Sequence, residues 1–293
     1  MKTVVSLQDL LEFEIRPGAL LAEYERLTEA AVRGWAAAEL QSIACPGCGR
    51  DRPAPAFDRF GLHYQECGYC GSLYLSPRPD ERRLAEHALS SVPAQFWRER
   101  VLAATEDARR EKILLPRGDW VHDALAEYAP GARLVHELVP NGGSLPADPA
   151  DAITAFETLD RAADPRRLVA AAHAALRPGG ILFVTAPCVS GFELQVLWER
   201  ARSIAPPDKI NLLSIRGFQS LFSEGWEIVE FSTPGLFDVE AVTRAVAADP
   251  DAPWPRFVRT LVSDTDAQQR SEFQEYLQRA RLASFARLVV RKV

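Results

Sequence analysis

Four of the chain's five cysteines fall in two matching pairs, Cys45-Pro-Gly-Cys48 and Cys67-Gly-Tyr-Cys70, with eighteen residues between the pairs. No other feature limits the possible folds so strongly. Each C-x2-C places two thiolates on one tight turn, and Gly49 and Gly71 follow the second cysteine of each pair, as a knuckle turn requires. Two knuckles close a tetrahedral four-sulfur shell, which suits a structural zinc. The competing readings are four unligated buried thiols and a redox C-x-x-C. A redox pair would open a βαβ helix, and neither pair does. A closed shell leaves no open position, so the zinc expected here is structural, not catalytic. His63, near the second knuckle, reads as a stacking or surface residue, and Cys188 as a small core or cleft residue.

The rest of the 293 residues must supply the core. Hydrophobic residues make up 47% and charged residues 25%, which suits a globular chain of one large or two modest domains. The net charge of −6 argues against non-specific binding to nucleic acid or to an anionic membrane. No apolar run approaches the roughly 20 residues of a membrane helix. The N-terminus carries acids within its apolar part and makes a poor signal peptide. Paired metal-type cysteines fit a reducing, cytoplasmic setting.

Four segments follow from composition and periodicity. Residues 1–44 form an N-terminal helical segment, 45–80 the zinc ribbon, and 81–130 a helical connector. Residues 131–293 alternate strands and helices. "RLVHELV", "AITAF", "ILFVTAP", "WEIVEFSTPG" and "SFARLVVRKV" read as strands, while "DPRRLVAAAHAAL" and "RGFQSLFSEG" read as helices. Such alternation predicts a mostly parallel α/β sheet.

Two stretches of this last segment carry a resemblance. "HAALRPGGILFVTAP" resembles the helix, turn and fifth strand of class I S-adenosylmethionine-dependent methyltransferases, and "AFETLDRAADPRRL" resembles their fourth-strand motif, F-E-V-L-E-H followed by D-P. "GFELQVLWERARSIAPPDKINLLSIRGFQSLF", "STPGLFDVE" and "YLSPRPD" resemble segments of a branch in which a zinc ribbon precedes the methyltransferase domain. The resemblance covers nearly the whole chain. It implies a Rossmann-like sheet and activity on sugars or other small metabolites, often in glycan assembly.

The resemblance also exposes departures. An active member needs a strand, a glycine-rich loop with a leading acid, and a second strand ending in an acid for the ribose hydroxyls. Here "RLVHELV" offers Glu137 as leading acid, but "PNGGSLPADP" follows, with Pro140 at the turn and only Gly142-Gly143. One βαβ unit takes roughly 30 residues, yet 18 residues separate Leu134 from Ile153. The second strand has no room, and Gly142-Gly143 reads as an ordinary turn. Arg161 and Lys209 stand where the family pattern puts functional histidines, and neither is a ready base. They read first as two solvated cations, and alternatively as part of a positive pocket for an anionic ligand. Glu157, Phe192, Glu193, Gln195 and Asn211 keep the family's letters and could line that cleft.

The sequence therefore predicts an α/β fold: a truncated Rossmann-like methyltransferase sheet with an N-terminal helical segment and a zinc ribbon. No catalytic or cofactor-binding residue is assigned, and S-adenosylmethionine is not expected to bind the isolated chain. The expected role is a binding or scaffolding subunit beside an intact methyltransferase or another pathway enzyme, with a homo-oligomer as a further arrangement. The alternatives are an S-adenosylmethionine-dependent methyltransferase completed by a partner chain and a nucleic-acid-binding zinc ribbon. The acidic balance counts against the last.

Overall fold

A computed structural model describes residues 10–35, 39–141 and 148–293. Helices α1 (Glu12–Ile15) and α2 (Gly18–Val32) precede strands β1 (Leu40–Gln41), β2 (Pro53–Arg59), β3 (Leu62–Cys67), β4 (Leu73–Leu75) and β5 (Arg78–Pro79). Helix α3 (Glu81–Ser90) follows. An unbroken helical run then joins α4 (Val92–Phe96), α5 (Ala103–Arg109) and α6 (Leu115–Tyr128) through two π-helical segments, Trp97–Leu102 and Arg110–Leu114. The remainder is β6 (Val135–Glu137), β7 (Ala150–Phe156), α7 (Pro165–Ala175), β8 (Leu176–Pro187), α8 (Phe192–Leu197), β9 (Asn211–Leu212), α9 (Ile215–Leu221), β10 (Trp226–Ser232), α10 (Asp238–Ala248), α11 (Arg256–Ser263), α12 (Ala267–Arg279) and β11 (Phe285–Lys292).

Helix starts follow local chemistry. The side chains of Asp80, Asp164, Ser214 and Asp266 each accept a backbone N–H in the first turn of α3, α7, α9 and α12. Helix α7 ends before Pro178, where Gly179 takes φ 75° to turn the chain within β8.

The central sheet has the order β10-β11-β8-β7-β6. Strands β6, β7 and β8 pair in parallel, and β11 runs antiparallel to both β8 and β10. Four strands therefore share one direction, as the alternation predicts, and β11 departs from it. Helices α10 to α12 stay at the rim where β8 ends: Phe285 pairs with Pro187 there, so the last strand enters from that rim and runs back.

Alternate residues of the central strands feed opposite layers. Leu182, Val184, Leu288 and Val290 pack with Val169, Ala172, Phe218 and Trp226 on one face. Ile181, Phe183 and Val289 pack with Ala124 and Trp120 on the other. The run "ILFVTA" is buried throughout, and apolar but for Thr185, because both its faces are covered.

A second sheet has the order β2-β3-β4-β9. Its fourth strand comes from residues 211–212, so the cysteine segment is joined to the α/β part by a strand pairing. Tyr64, Leu73 and Leu75 share a core with Leu194, Ile210, Leu212 and Val242.

Strand β6 is three residues long and stands at one end of the central sheet, and twelve residues separate it from β7. The expected turn at Gly142-Gly143 lies outside the described residues. No helix among the described residues is long and apolar enough to cross a membrane.

Candidate functional site

The sulfur atoms of Cys45, Cys48, Cys67 and Cys70 all lie within 4.8 Å of one another. Cys45 Sγ is 3.6 Å from Cys70 Sγ, and Cys48 Sγ is 3.6 Å from Cys67 Sγ. Four sulfurs around one zinc at ~2.3 Å would stand about 3.8 Å apart, so spacing and donor chemistry fit a tetrahedral ion. Each knuckle closes on its own backbone: Gly49 N–H donates to Cys45 O and Gly71 N–H to Cys67 O, each at 2.8 Å. Both glycines have positive φ, 72° and 75°. Hydrogen bonding with Cys45 and at Ser72 pulls the Cys70 thiol down against its burial.

The cluster is tied to the α/β part. Ser214 N–H donates to Ser72 Oγ at 3.1 Å, and Ser214 Oγ donates to Cys70 O at 2.6 Å. A Cβ on Gly217 would stand 2.2 Å from Ser72 Oγ, so only glycine allows α9 this close to the second knuckle. Arg78 is 2% exposed and donates to Asn211 Oδ1 at 2.6 Å. Burial lowers its pKa to about 10.

A second cluster lies at the rim where β6 and β7 end, beneath the N-terminal helices. Glu157, directly after β7, has φ 45°, an unusual backbone conformation for a side chain of its size. Its N–H donates to Thr185 O, and its carboxylate accepts from Thr185 Oγ1 at 3.1 Å and from Arg117 Nη2 at 2.7 Å. The segment after β6 is stitched to the segment after β7. Asn141 Nδ2 donates to Arg161 O and Asn141 Oδ1 accepts from Ala163 N–H, both at 2.8 Å, and Thr158 Oγ1 donates to Leu138 O.

Lys209 pairs with Asp160, which is fully buried. Ile210 and Asn211 donate backbone N–H groups to Asp160 O, and Asn211 Nδ2 donates to Leu159 O and Ala162 O. Lys209 and Asn211 thus lie against the segment 159–162, while the Glu157 carboxylate is held by Arg117 and Thr185. The reading of Arg161 and Lys209 as solvated cations is corrected: Lys209 is one fifth exposed and ion-paired, and Arg161 has a buried Nε. Burial lowers the Arg161 pKa, but Asp208, Asp160 and Glu157 outweigh it and hold the group charged. The sequence hid this because the partner acid folds in from 49 residues away.

Phe192, Glu193 and Gln195 belong to α8 and hold other positions. Phe192 meets Phe273 edge-on at 5.3 Å, and Gln195 Nε2 donates to Val189 O at 2.7 Å. Glu193 is buried and accepts from Ser203 Oγ at 2.7 Å. Burial pushes its pKa up to about 7, Arg16 and Ser203 oppose the rise, and Asp238 and Glu12 add to it. A raised carboxylate pKa means the folded chain binds a proton that the unfolded chain releases. Its contribution is therefore present at low pH and lost as pH rises through about 7. Glu193→Gln is expected to flatten the fall in melting temperature between about pH 5 and pH 7. An unchanged pH profile would show that Glu193 ionises without cost.

Sequence reasoning missed Tyr24, Arg109, Arg117 and Asp208. Tyr24 donates its hydroxyl to Asp208, and its ring stands 4.9 Å from that of Trp97. Arg109 lies over Trp97 at 5.7 Å and Arg117 over Phe156 at 4.7 Å. The missed signal is a four-residue repeat: Pro93, Trp97, Val101, Thr105, Arg109, Ile113, Arg117, Val121 and Leu125 all face inward to some degree. A pure α-helix would rotate such a stripe out of the core, because it turns every 3.6 residues. The two π segments widen the turn and keep it inward. His87 is 9% exposed and meets Trp35 edge-on.

A family model described as a methyltransferase domain matches residues 34–230, more than half of the chain. Among solved structures, one similar protein is assigned as a sarcosine dimethylglycine methyltransferase from Galdieria sulphuraria, at 14% identity and TM-score 0.37, covering 73% of this chain and 98% of that one. Another is an S-adenosylmethionine-dependent methyltransferase from Mesorhizobium loti, at 15% identity and TM-score 0.31, covering 52% and 65%. A third is coclaurine N-methyltransferase with N-methylheliamine and S-adenosylhomocysteine, at 12% identity and TM-score 0.29, covering 51% and 48%. At these scores no substrate or activity is carried over from them. No curated protein matches the chain.

Proposed function

The chain belongs to the methyltransferase-domain family, and we propose that it is a member with a degenerate S-adenosylmethionine site, acting as a binding or scaffolding subunit in a small-metabolite or glycan pathway. One observation carries the reading: only twelve residues join the parallel strands β6 and β7. A crossover between parallel strands usually takes a dozen residues or more, and a βαβ unit roughly 30. The family pattern puts two strands and two helices in this interval. On our reading the sheet begins at the family's first strand and is truncated on the cofactor side, with no second strand to carry the ribose-binding acid.

The neighbouring contacts support this. Where a glycine loop would cradle the cofactor, Pro140 fixes its own φ, and Asn141 is bonded to Arg161 and Ala163. Glu157 is engaged by Arg117 and Thr185. The residues present do not fit the cofactor, and we derive no methyl-transfer step for the chain alone. Cys45, Cys48, Cys67 and Cys70 would hold a structural zinc. The segments 1–44, 45–80, 81–130 and 131–293 remain our division of the chain, in a cytoplasmic protein.

The rival reading is an S-adenosylmethionine-dependent methyltransferase completed by a partner chain. The observation in its favour is the terminal strand β6, whose Val135 is 45% exposed and whose preceding Leu134 is 41% exposed. Mass spectrometry of the gently denatured purified chain tests between them. We expect neither S-adenosylmethionine nor S-adenosylhomocysteine to be released. Either one in stoichiometric amount would overturn the first reading.

A further inference from the structure

The hydrogen bonds of β6 leave one side of the strand open. Leu134 O accepts from Ala152 N–H at 3.2 Å, and Leu138 N–H donates to Thr154 O at 2.7 Å. Backbone groups alternate in direction along a strand, so Leu134, His136 and Leu138 face β7. Those of Val135 and Glu137 point the other way, where the central sheet has no further strand among the described residues. Such an edge is a template for another strand, and proteins usually blunt it with lysine, proline or a covering element. Residues 133–137 contain neither lysine nor proline, and Arg133, Leu134, Val135 and Glu137 are exposed.

Charge selects what fits this edge. An antiparallel pairing of β6 with β6 of a second copy, across a two-fold axis at Val135, sets Val135 opposite its own equivalent. Arg133 then stands opposite Glu137 of the second copy, and Glu137 opposite Arg133 of that copy. The two Val135 residues exchange both backbone bonds, and each Glu137 N–H reaches the facing Arg133 O, while Arg133 N–H stays on Asp151 Oδ2 at 2.8 Å. Centring the pairing on Glu137 also matches the open backbone groups, but it sets the two acids opposite each other, which is unfavourable. Within one chain Arg133 and Glu137 stand about 13 Å apart along the strand. Neither side chain has a hydrogen bond or ion pair among the described residues.

We propose that two copies of this chain pair antiparallel through β6, joining their five-stranded sheets into one continuous sheet, with Arg133 and Glu137 as reciprocal ion pairs that set the register. The proposal goes beyond the proposed function and stands whether or not S-adenosylmethionine binds. So short a strand buries less than the roughly 1,200 Å² of a stable interface, so the dimer is weak and reversible.

Sedimentation velocity of the full chain, without cofactor and at concentrations up to ~100 μM, tests this. The natural chain should pass reversibly from monomer to dimer over that range. Glu137→Arg sets arginine opposite arginine twice, and Arg133→Glu sets acid opposite acid twice. Each should weaken dimerisation by about tenfold. The double variant restores unlike pairs and should return to within about threefold of the natural chain. Val135→Pro removes an open N–H without touching a bond to β7 and should leave only monomer. Circular dichroism and melting follow the fold of each variant. A natural chain that stays monomeric throughout would overturn the proposal. So would a dimer that the single variants leave unchanged, or a double variant that dimerises no better than the single ones. S-adenosylmethionine titrated on the same preparations bears on the proposed function alone.

Discussion

Purified protein is expected to carry about one zinc per chain, and Cys67→Ser is expected to lose both the metal and the cooperative melting of the ribbon sheet. The sulfur spacing supplies the first half of that expectation. The second half comes from how the knuckles are built in. Cys67 ends β3, whose Tyr64 pairs with Leu75 and packs in the same core as Leu212 and Ile210. Ser72 and Ser214 tie the second knuckle to α9. Structural zinc contributes about 10–16 kcal/mol in isolated zinc-finger peptides, so its loss should exceed any single packing change here. Elemental analysis and melting of both proteins check this. Metal-free protein, prepared without chelator and melting like the natural chain, would contradict it.

The second large effect is expected at Lys209. Asp160 is fully buried and its Oδ2 meets Lys209 Nζ. Lys209→Met would leave that carboxylate without its cation, at a cost of about 3–5 kcal/mol. Combining it with Asp160→Asn removes both charges and should recover most of the loss. Urea unfolding of both single variants and the double variant measures the coupling. A Lys209→Met chain within about 0.5 kcal/mol of the natural one would mean that Arg161 already neutralises Asp160.

These two sites differ in how far the sequence revealed them. The cysteine knuckles were legible because ligand spacing and knuckle glycines are local. The strands "ILFVTAP" and "WEIVEFSTPG" and the helix "DPRRLVAAAHAAL" were legible through their local patterns. The packing of Lys209 and Asn211 against the segment after β7 was not legible in the letters. What escaped was set by distant pairing. Arg117 reads as a surface cation until Glu157, forty residues on, folds against it. Lys209 and Asp160 pose the same problem. The helical run from 92 to 128 held a local clue in its four-residue stripe, but the usual 3.6-residue template hides it. Strand β11 ran against the expected direction because α10 to α12 stay on one rim, which no local pattern announces.

The central claim concerns the cofactor, and calorimetric titration of the isolated chain tests it most directly. The ribose-binding acid has no strand to carry it, and each hydrogen bond to a charged group that is lost costs about 1.5–3 kcal/mol, or one to two orders of magnitude in affinity. With S-adenosylmethionine raised to millimolar concentration, the account predicts a flat isotherm. A saturable isotherm in the micromolar range from the chain alone would contradict it and make the enzymatic reading the leading one.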